Sequence, residues 1–149
     1  MGPRREAREL AVQVIYALEL NGYTSQEKAK DANLDQVIED IISIHTKKLT
    51  QEQKEFIDFL VKRTYYNLPV IDELIRKFSK NWPFHRISIV DKSILRLAIM
   101  EMLFSETPAQ VVINEAIEIS KKFSGEKSGT FINGVLDTVM HYKEKYDTM

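Results

Sequence analysis

The sequence predicts an all-α protein of about seven helices arranged as two small helical bundles, and three observations carry that expectation. Apolar residues recur at helical spacing through most of the chain. Five glycines and four prolines in 149 residues leave few points at which a helix is interrupted. Combinations of hydroxyl and amide or carboxylate residues that start helices stand ahead of several apolar stripes. No convincing strand, internal repeat or low-complexity tract appears.

The first helix is expected from about Arg4 to Leu20, because Ala7, Leu10, Ala11, Val14, Ile15 and Leu18 fall on one face, and Asn21-Gly22 stops it. A shorter stripe follows in Leu34, Val37, Ile38, Ile41 and Ile42, with Asp31 or Asn33 as the cap and an end near His45. Thr50-Gln51-Glu52-Gln53 reads as a capping box that opens a third helix, with Ile57, Leu60, Val61, Thr64 and Leu68 inward. Pro69 begins a fourth, in the position where its missing N–H costs nothing, and Ile71, Leu74, Ile75, Phe78 and Trp82 continue the stripe.

Residues 79–88, with Asn81, Trp82 and Pro83, form the expected junction between an N-terminal half of about 1–80 and a C-terminal half of about 84–147, within a single domain spanning 1–149. Ser88 and Asp91 then open a helix in which nine of the eleven residues from Ile94 to Phe104 are apolar. A helix apolar nearly all round is a buried central one. Thr107-Pro108-Ala109-Gln110 combines a capping box with Pro at the first helical position, ahead of Val112, Ile113, Ala116, Ile117, Ile119 and Phe123. Gly125 closes that helix, and the last uses Ile132, Val135, Leu136, Val139 and Tyr146.

Composition narrows the function classes. No apolar run approaches the roughly 20 residues that span a bilayer, and the N-terminal stretch reads as a helix, not a signal peptide. The absence of cysteine removes disulfides, thiolate metal sites and cysteine nucleophiles, and fits a reducing compartment, so a cytoplasmic location is expected. A net charge of −1 works against a simple nucleic-acid binder, so any such role rests on local cations or on a partner.

Signs of catalysis are scarce. His45, His85 and His141 lie far apart without the spacing of a helical metal site. Phosphate-loop, dinucleotide and nucleophile-elbow motifs are missing, and Ser124 to Gly129 reads as a turn between helices. The expectation is no enzyme, no cofactor and no metal. Glu118 and Lys122 are spaced for a surface pair, whereas Arg96 and Glu101 interrupt the apolar central helix about 140° apart and need separate buried partners.

Three segments then carry a resemblance: Arg4 to Tyr16, Val90 to Glu101, and Ile113-Asn114-Glu115-Ala116-Ile117-Glu118-Ile119-Ser120-Lys121-Lys122-Phe123 followed by Phe131-Ile132-Asn133-Gly134-Val135-Leu136-Asp137. In order and spacing they resemble the NusB family of bacterial transcription antitermination factors. The resemblance implies two helical bundles packed across each other and no catalysed reaction. It also implies pairing with the ribosomal protein NusE, binding of boxA-like single-stranded RNA in ribosomal RNA leaders, and action within the RNA polymerase antitermination complex.

Arg4, Arg5 and Arg8 make a small cationic patch by their i, i+3 and i, i+4 spacing, read either as a phosphate-binding fork or as a solvated face balanced by Glu6 and Glu9. The resemblance favours RNA. Phe131 lies on the shoulder of the last stripe, placed to stack on a base or to pack on Val135, and the resemblance puts it at the RNA surface with Lys121, Lys122 and Lys127 near it. Lys127 replaces an acidic residue found there in some members, which implies tighter RNA binding by this protein alone. Tyr16 and Asp91 match positions facing NusE, although Asp91 equally serves as a helix N-terminal carboxylate. Gly134, which costs about 1 kcal/mol in a helix relative to alanine, is expected where another helix backbone comes close. Two other readings stand beside this one: an accessory domain like that of ribosomal RNA cytosine methyltransferases, disfavoured by the lack of catalytic cysteines, and a protein-only helical adaptor. Monomer and homodimer are both open.

Overall fold

In the computed structural model, residues 2–25 and 32–147 are described, and they fold into seven α-helices with no strand among them. The helices are α1 (Pro3–Leu20), α2 (Leu34–Ser43), α3 (Gln51–Tyr66), α4 (Leu68–Phe78), α5 (Ile89–Phe104), α6 (Ala109–Phe123) and α7 (Glu126–Asp147), with a single 310 turn at Phe84–Arg86. They divide into two compact units, 1–66 and 67–149. The division falls between α3 and α4, not in the 79–88 stretch expected from sequence. α4 packs on α5 and α7, so it belongs with the C-terminal helices.

In the first unit, α1 packs on both α2 and α3. All six residues of its expected stripe are buried, as are Ile57, Leu60, Val61 and Thr64 of α3. The capping box at Thr50 forms as expected: the Gln53 backbone N–H donates to Thr50 Oγ1 at 3.0 Å, and the Thr50 backbone N–H donates to Gln53 Oε1 at 2.9 Å. α2 is capped by Asn33, whose Oδ1 accepts from the Gln36 N–H at 3.1 Å; Asp31, the other candidate, lies outside the described residues. Lys62 of α3 sits between Asp35 of α2 at 2.8 Å and Asp58 at 3.0 Å, and hydrogen bonds to these carboxylates raise its pKa above the ordinary lysine value. His45 Nε2 lies 2.7 Å from Glu6 Oε1, tying the chain after α2 to the start of α1.

The second unit is built on α5, in which the eleven residues from Lys92 to Met102 are all buried. α4, α6 and α7 each pack on it. Arg96 and Glu101, the two charges within its apolar stretch from Ile94 to Phe104, are both 2% exposed. Arg96 meets Asp72 of α4 in a two-pronged contact, Nε to Oδ1 at 2.8 Å and Nη2 to Oδ2 at 2.9 Å. The planar guanidinium matches the carboxylate, so a buried charge is satisfied by a partner from another helix.

Several sequence expectations shift. The anticipated Thr107 capping box does not form, because Pro108 is extended (ψ 138°) and is itself the N-cap, with no side-chain cap bond, so α6 starts at Ala109. The turn expected over 124–129 is confined to Ser124 and Gly125. Gly125 has φ 95°, and both N–H groups donate to the Ser120 carbonyl, a glycine-terminated helix end. α7 begins directly after it, which puts Lys127 in its first turn. Ile132, Val135, Leu136 and Val139 are buried as expected, while the Tyr146 side chain lies outside the described residues. Trp82 does not continue the α4 stripe. The helix stops at Phe78, and the indole is 50% exposed.

Candidate nucleic-acid interface

The candidate residues fall in both units. In the first, Pro3 stands in the opening turn of α1, where its ring fits the helix and its missing N–H removes no bond, and the residues after it carry the arginines. Arg4 is exposed, Arg5 half-buried and Arg8 buried at 5% exposure, so the three do not form one open patch. Phe56 on α3 lies against both Arg4 and Arg8. The Arg4 guanidinium lies 4.3 Å from the Phe56 ring centroid and that of Arg8 5.4 Å, so one aromatic ring serves two cations. Gln53 Nε2 donates to the Pro3 carbonyl at 3.1 Å, fixing the start of α1 to the start of α3. Between them is a cavity of about 300 Å3 whose lining includes Arg4, Thr50, Gln53 and Phe56. Phe56 escaped the sequence reading because it lies off the inward stripe. Its signal was an aromatic one position before Ile57 with no role in the core.

Tyr16, two turns along from Arg8 on α1, is half-exposed.

In the second unit, Lys121, Lys122 and Lys127 are all exposed, the first two in the last turn of α6 and the third in the first turn of α7. The tight turn at Gly125 brings these helix ends together in sequence. Lys121 Nζ pairs with Glu118 Oε1 at 3.2 Å, one turn along the helix at i, i+3. Lys122 Nζ lies 5.7 Å from the Phe123 ring centroid. Cations at the C-terminus of a helix are also stabilised by its dipole, so Lys121 and Lys122 gain locally whatever they bind. Phe131 is half-exposed on α7, between buried Gly129 and buried Ile132.

Asp91 is occupied by local structure. Ser88 caps α5 by accepting from the Asp91 N–H at 3.1 Å, and the Asp91 carboxylate accepts through Oδ2 from Ser128 Oγ of α7, also at 3.1 Å. Its other oxygen, Oδ1, is shut from solvent with no hydrogen-bond partner. Sequence reading foresaw the helix-start role but not Ser128, which lies 37 positions away.

Gly134 overturns the expectation of a close helix. A Cβ built on it meets nothing within 4 Å, and the residue is exposed. Gly129 is instead the buried glycine of α7, where a Cβ would stand 3.6 Å from Ser120 Oγ and 3.7 Å from an Ile117 methyl group of α6.

The sequence profile of the NusB family matches residues 5–141. The chain belongs to the NusB family. A transcription antitermination protein NusB of Natranaerobius thermophilus is 42% identical over 144 residues, spanning 95% of this chain and 97% of that one. Among solved structures, NusB of T. maritima superposes with a TM-score of 0.80 at 33% identity, covering 99% of both chains. A structure of antitermination factors NusB and NusE in complex with double-stranded RNA superposes with a TM-score of 0.79 at 26% identity, covering 95% of this chain and 98% of that one. The all-α architecture of this chain is thus the NusB fold. Among the described residues, no helix is long and apolar enough to cross a membrane.

Proposed function

We propose that this protein is a transcription antitermination factor that binds boxA-like single-stranded RNA together with the ribosomal protein NusE, within the RNA polymerase antitermination complex. The observation that carries this reading is the likeness along 95% of the chain to the NusB of a NusB–NusE–RNA complex. The residue chemistry supports it. Arg4, exposed and stacked on Phe56, presents a guanidinium whose planar fork suits a phosphate. Arg5, half-buried, adds a second cation, and Arg8 forms the inner member of the cluster. Lys121, Lys122 and Lys127 supply positive charge in the second unit, and Phe131 a surface on which an unpaired base stacks.

Tyr16 and Asp91 are the residues assigned to the NusE-facing surface. Asp91 acts there through the α5 start and Ser128, with its carboxylate already fixed. The protein works by binding and catalyses no reaction, and its place is the cytoplasm, where transcription and ribosomal proteins meet. A near-neutral overall charge accords with a factor that needs a partner to hold RNA tightly.

Titration of a labelled boxA-like RNA, with and without NusE and at several salt concentrations, tests this beside a scrambled RNA. Preference for the boxA-like strand, enhancement by NusE, and a log–log salt slope near −0.7 per phosphate contact are expected. Equal or absent binding under all conditions refutes the reading and leaves a protein-only adaptor.

A further inference from the structure

Gly134 lies within α7, the element least tolerant of glycine, and no feature of the fold calls for it. Its φ is not positive, since only Gly22 and Gly125 adopt that region among the described residues. No neighbour approaches the space its side chain would fill. What the missing side chain leaves is an open groove of about 350 Å3, lined among others by Trp82, Phe131, Gly134, Val135, Lys80 and Asn81.

Trp82 is held at this groove by a closed turn. Its N–H donates to the Ser79 carbonyl at 2.9 Å, and the Ser79 hydroxyl donates back to the Trp82 carbonyl at 3.2 Å. Ser79 is itself buried, and Pro83 follows immediately. A half-exposed indole on a fixed turn is an aromatic surface ordered before any ligand arrives, so little conformational entropy is lost when something stacks on it.

The chemistry of the lining selects the occupant. Three aromatic residues, Phe78, Trp82 and Phe131, line it with apolar surface, the Asn81 amide offers both a donor and an acceptor, and Lys80 offers a cation. None of the described residues lining the groove is acidic, in a chain that carries 22 acidic side chains. Flat walls, edge hydrogen bonds and a single positive charge match an unpaired base with its phosphate better than an apolar peptide side chain.

We propose that the groove lined by Trp82 and Phe131, kept open by Gly134, takes one unpaired nucleobase of single-stranded RNA, with Trp82 as a stacking surface in addition to Phe131. The proposal rests on the RNA-binding reading above and assigns Trp82 and Gly134 a role within it.

Trp82 is the sole tryptophan, so its fluorescence reports on the groove directly. The full chain is titrated with a labelled boxA-like RNA, following label anisotropy and tryptophan emission together. Emission is expected to quench in step with anisotropy. Trp82→Ala is expected to weaken binding about 5- to 150-fold, the range for loss of one base stack. Gly134→Leu is expected to raise the melting temperature, because leucine favours the helix and the space is empty, while weakening RNA binding at least several-fold. A merely structural glycine predicts the opposite sign for stability. Anisotropy that rises without quenching, or a Gly134→Leu protein that binds RNA as tightly as wild type, overturns the groove while leaving the RNA reading intact. Quenching by NusE alone, with RNA producing none, makes the groove a protein site and overturns it too. Absence of any anisotropy change, with and without NusE, removes the RNA reading and the groove with it.

Discussion

Replacing Asp72 with alanine removes both oxygens that receive the Arg96 guanidinium, at 2.8 and 2.9 Å, and leaves a cation that is 2% exposed. The nearby Phe84 ring, with its centroid 5.8 Å from the guanidinium carbon, is a poor substitute for the lost carboxylate. Breaking a buried pair by removing one partner costs about 3–5 kcal/mol. For a chain of this size each kcal/mol moves the melting temperature by about 2–4 °C, so Asp72→Ala is expected to melt about 6–20 °C lower. The double variant Asp72→Leu, Arg96→Met removes both charges and fills the space with apolar volume, and replacing a whole buried pair this way is often neutral or stabilising. Urea denaturation of wild type, Asp72→Leu, Arg96→Met and the double variant closes the cycle. Most of the lost stability should return in the double variant. A single-variant loss under about 1 kcal/mol, or a double variant as unstable as the sum of the singles, refutes the view that the pair is a coupled buried contact between α4 and α5.

Other outcomes follow from the same geometry. Phe56→Leu keeps apolar volume under Arg4 but removes the ring face, and loss of a cation–π contact of about 0.5–1 kcal/mol at a partly exposed site is expected to lower the melting temperature by about 1–4 °C, read by calorimetry; an unchanged melting temperature counts against the contact. Lys127→Asp reverses a charge in the first turn of α7 and should weaken binding of boxA-like RNA by the protein alone; unchanged affinity removes Lys127 from the interface. The Tyr65 pKa is raised from the ordinary 10.0, chiefly by burial and then by neighbouring Tyr66, and its hydroxyl donates to the Tyr23 carbonyl at 2.6 Å. The fold therefore favours the neutral phenol, so this stabilisation is complete below pH 10.0 and is lost as pH rises through the higher folded-state value. Tyr65→Phe should flatten the fall in urea midpoint over that alkaline window, and an unchanged slope counts against it.

Much of the helical framework was legible because it depends on local spacing. The α1 stripe, the Thr50–Gln53 box and the burial of α5 need only residues within a few turns of each other. Errors came where tertiary geometry decides. The Thr107 box looks complete as four letters but fails once Pro108 is extended, and the stripe logic that included Trp82 carried helical periodicity past the point where α4 stops. The candidate site was less legible than the fold. Arg4, Phe131 and the lysines were visible as residue types, but Phe56, Asp72 and Ser128 act on partners 24 to 52 positions away, distances over which sequence periodicity carries no information. Gly134 was noticed for the right reason, its cost in a helix, and assigned the wrong cause, because a close neighbour and an empty space leave the same letter.

The uninterrupted burial of Lys92 to Met102 also bears on how the chain is made. Within the second unit, α5 has α4 behind it as it leaves the ribosome, while α6 and α7, which also pack on it, are still to be synthesised. A nascent chain stalled between Phe104 and Val139 presents an apolar helix with half its walls missing, the kind of surface that chaperones bind and that aggregates when left alone. The second unit thus completes the packing on α5 only once α7 has emerged, whereas α1, α2 and α3 can close on one another as soon as Tyr66 has emerged.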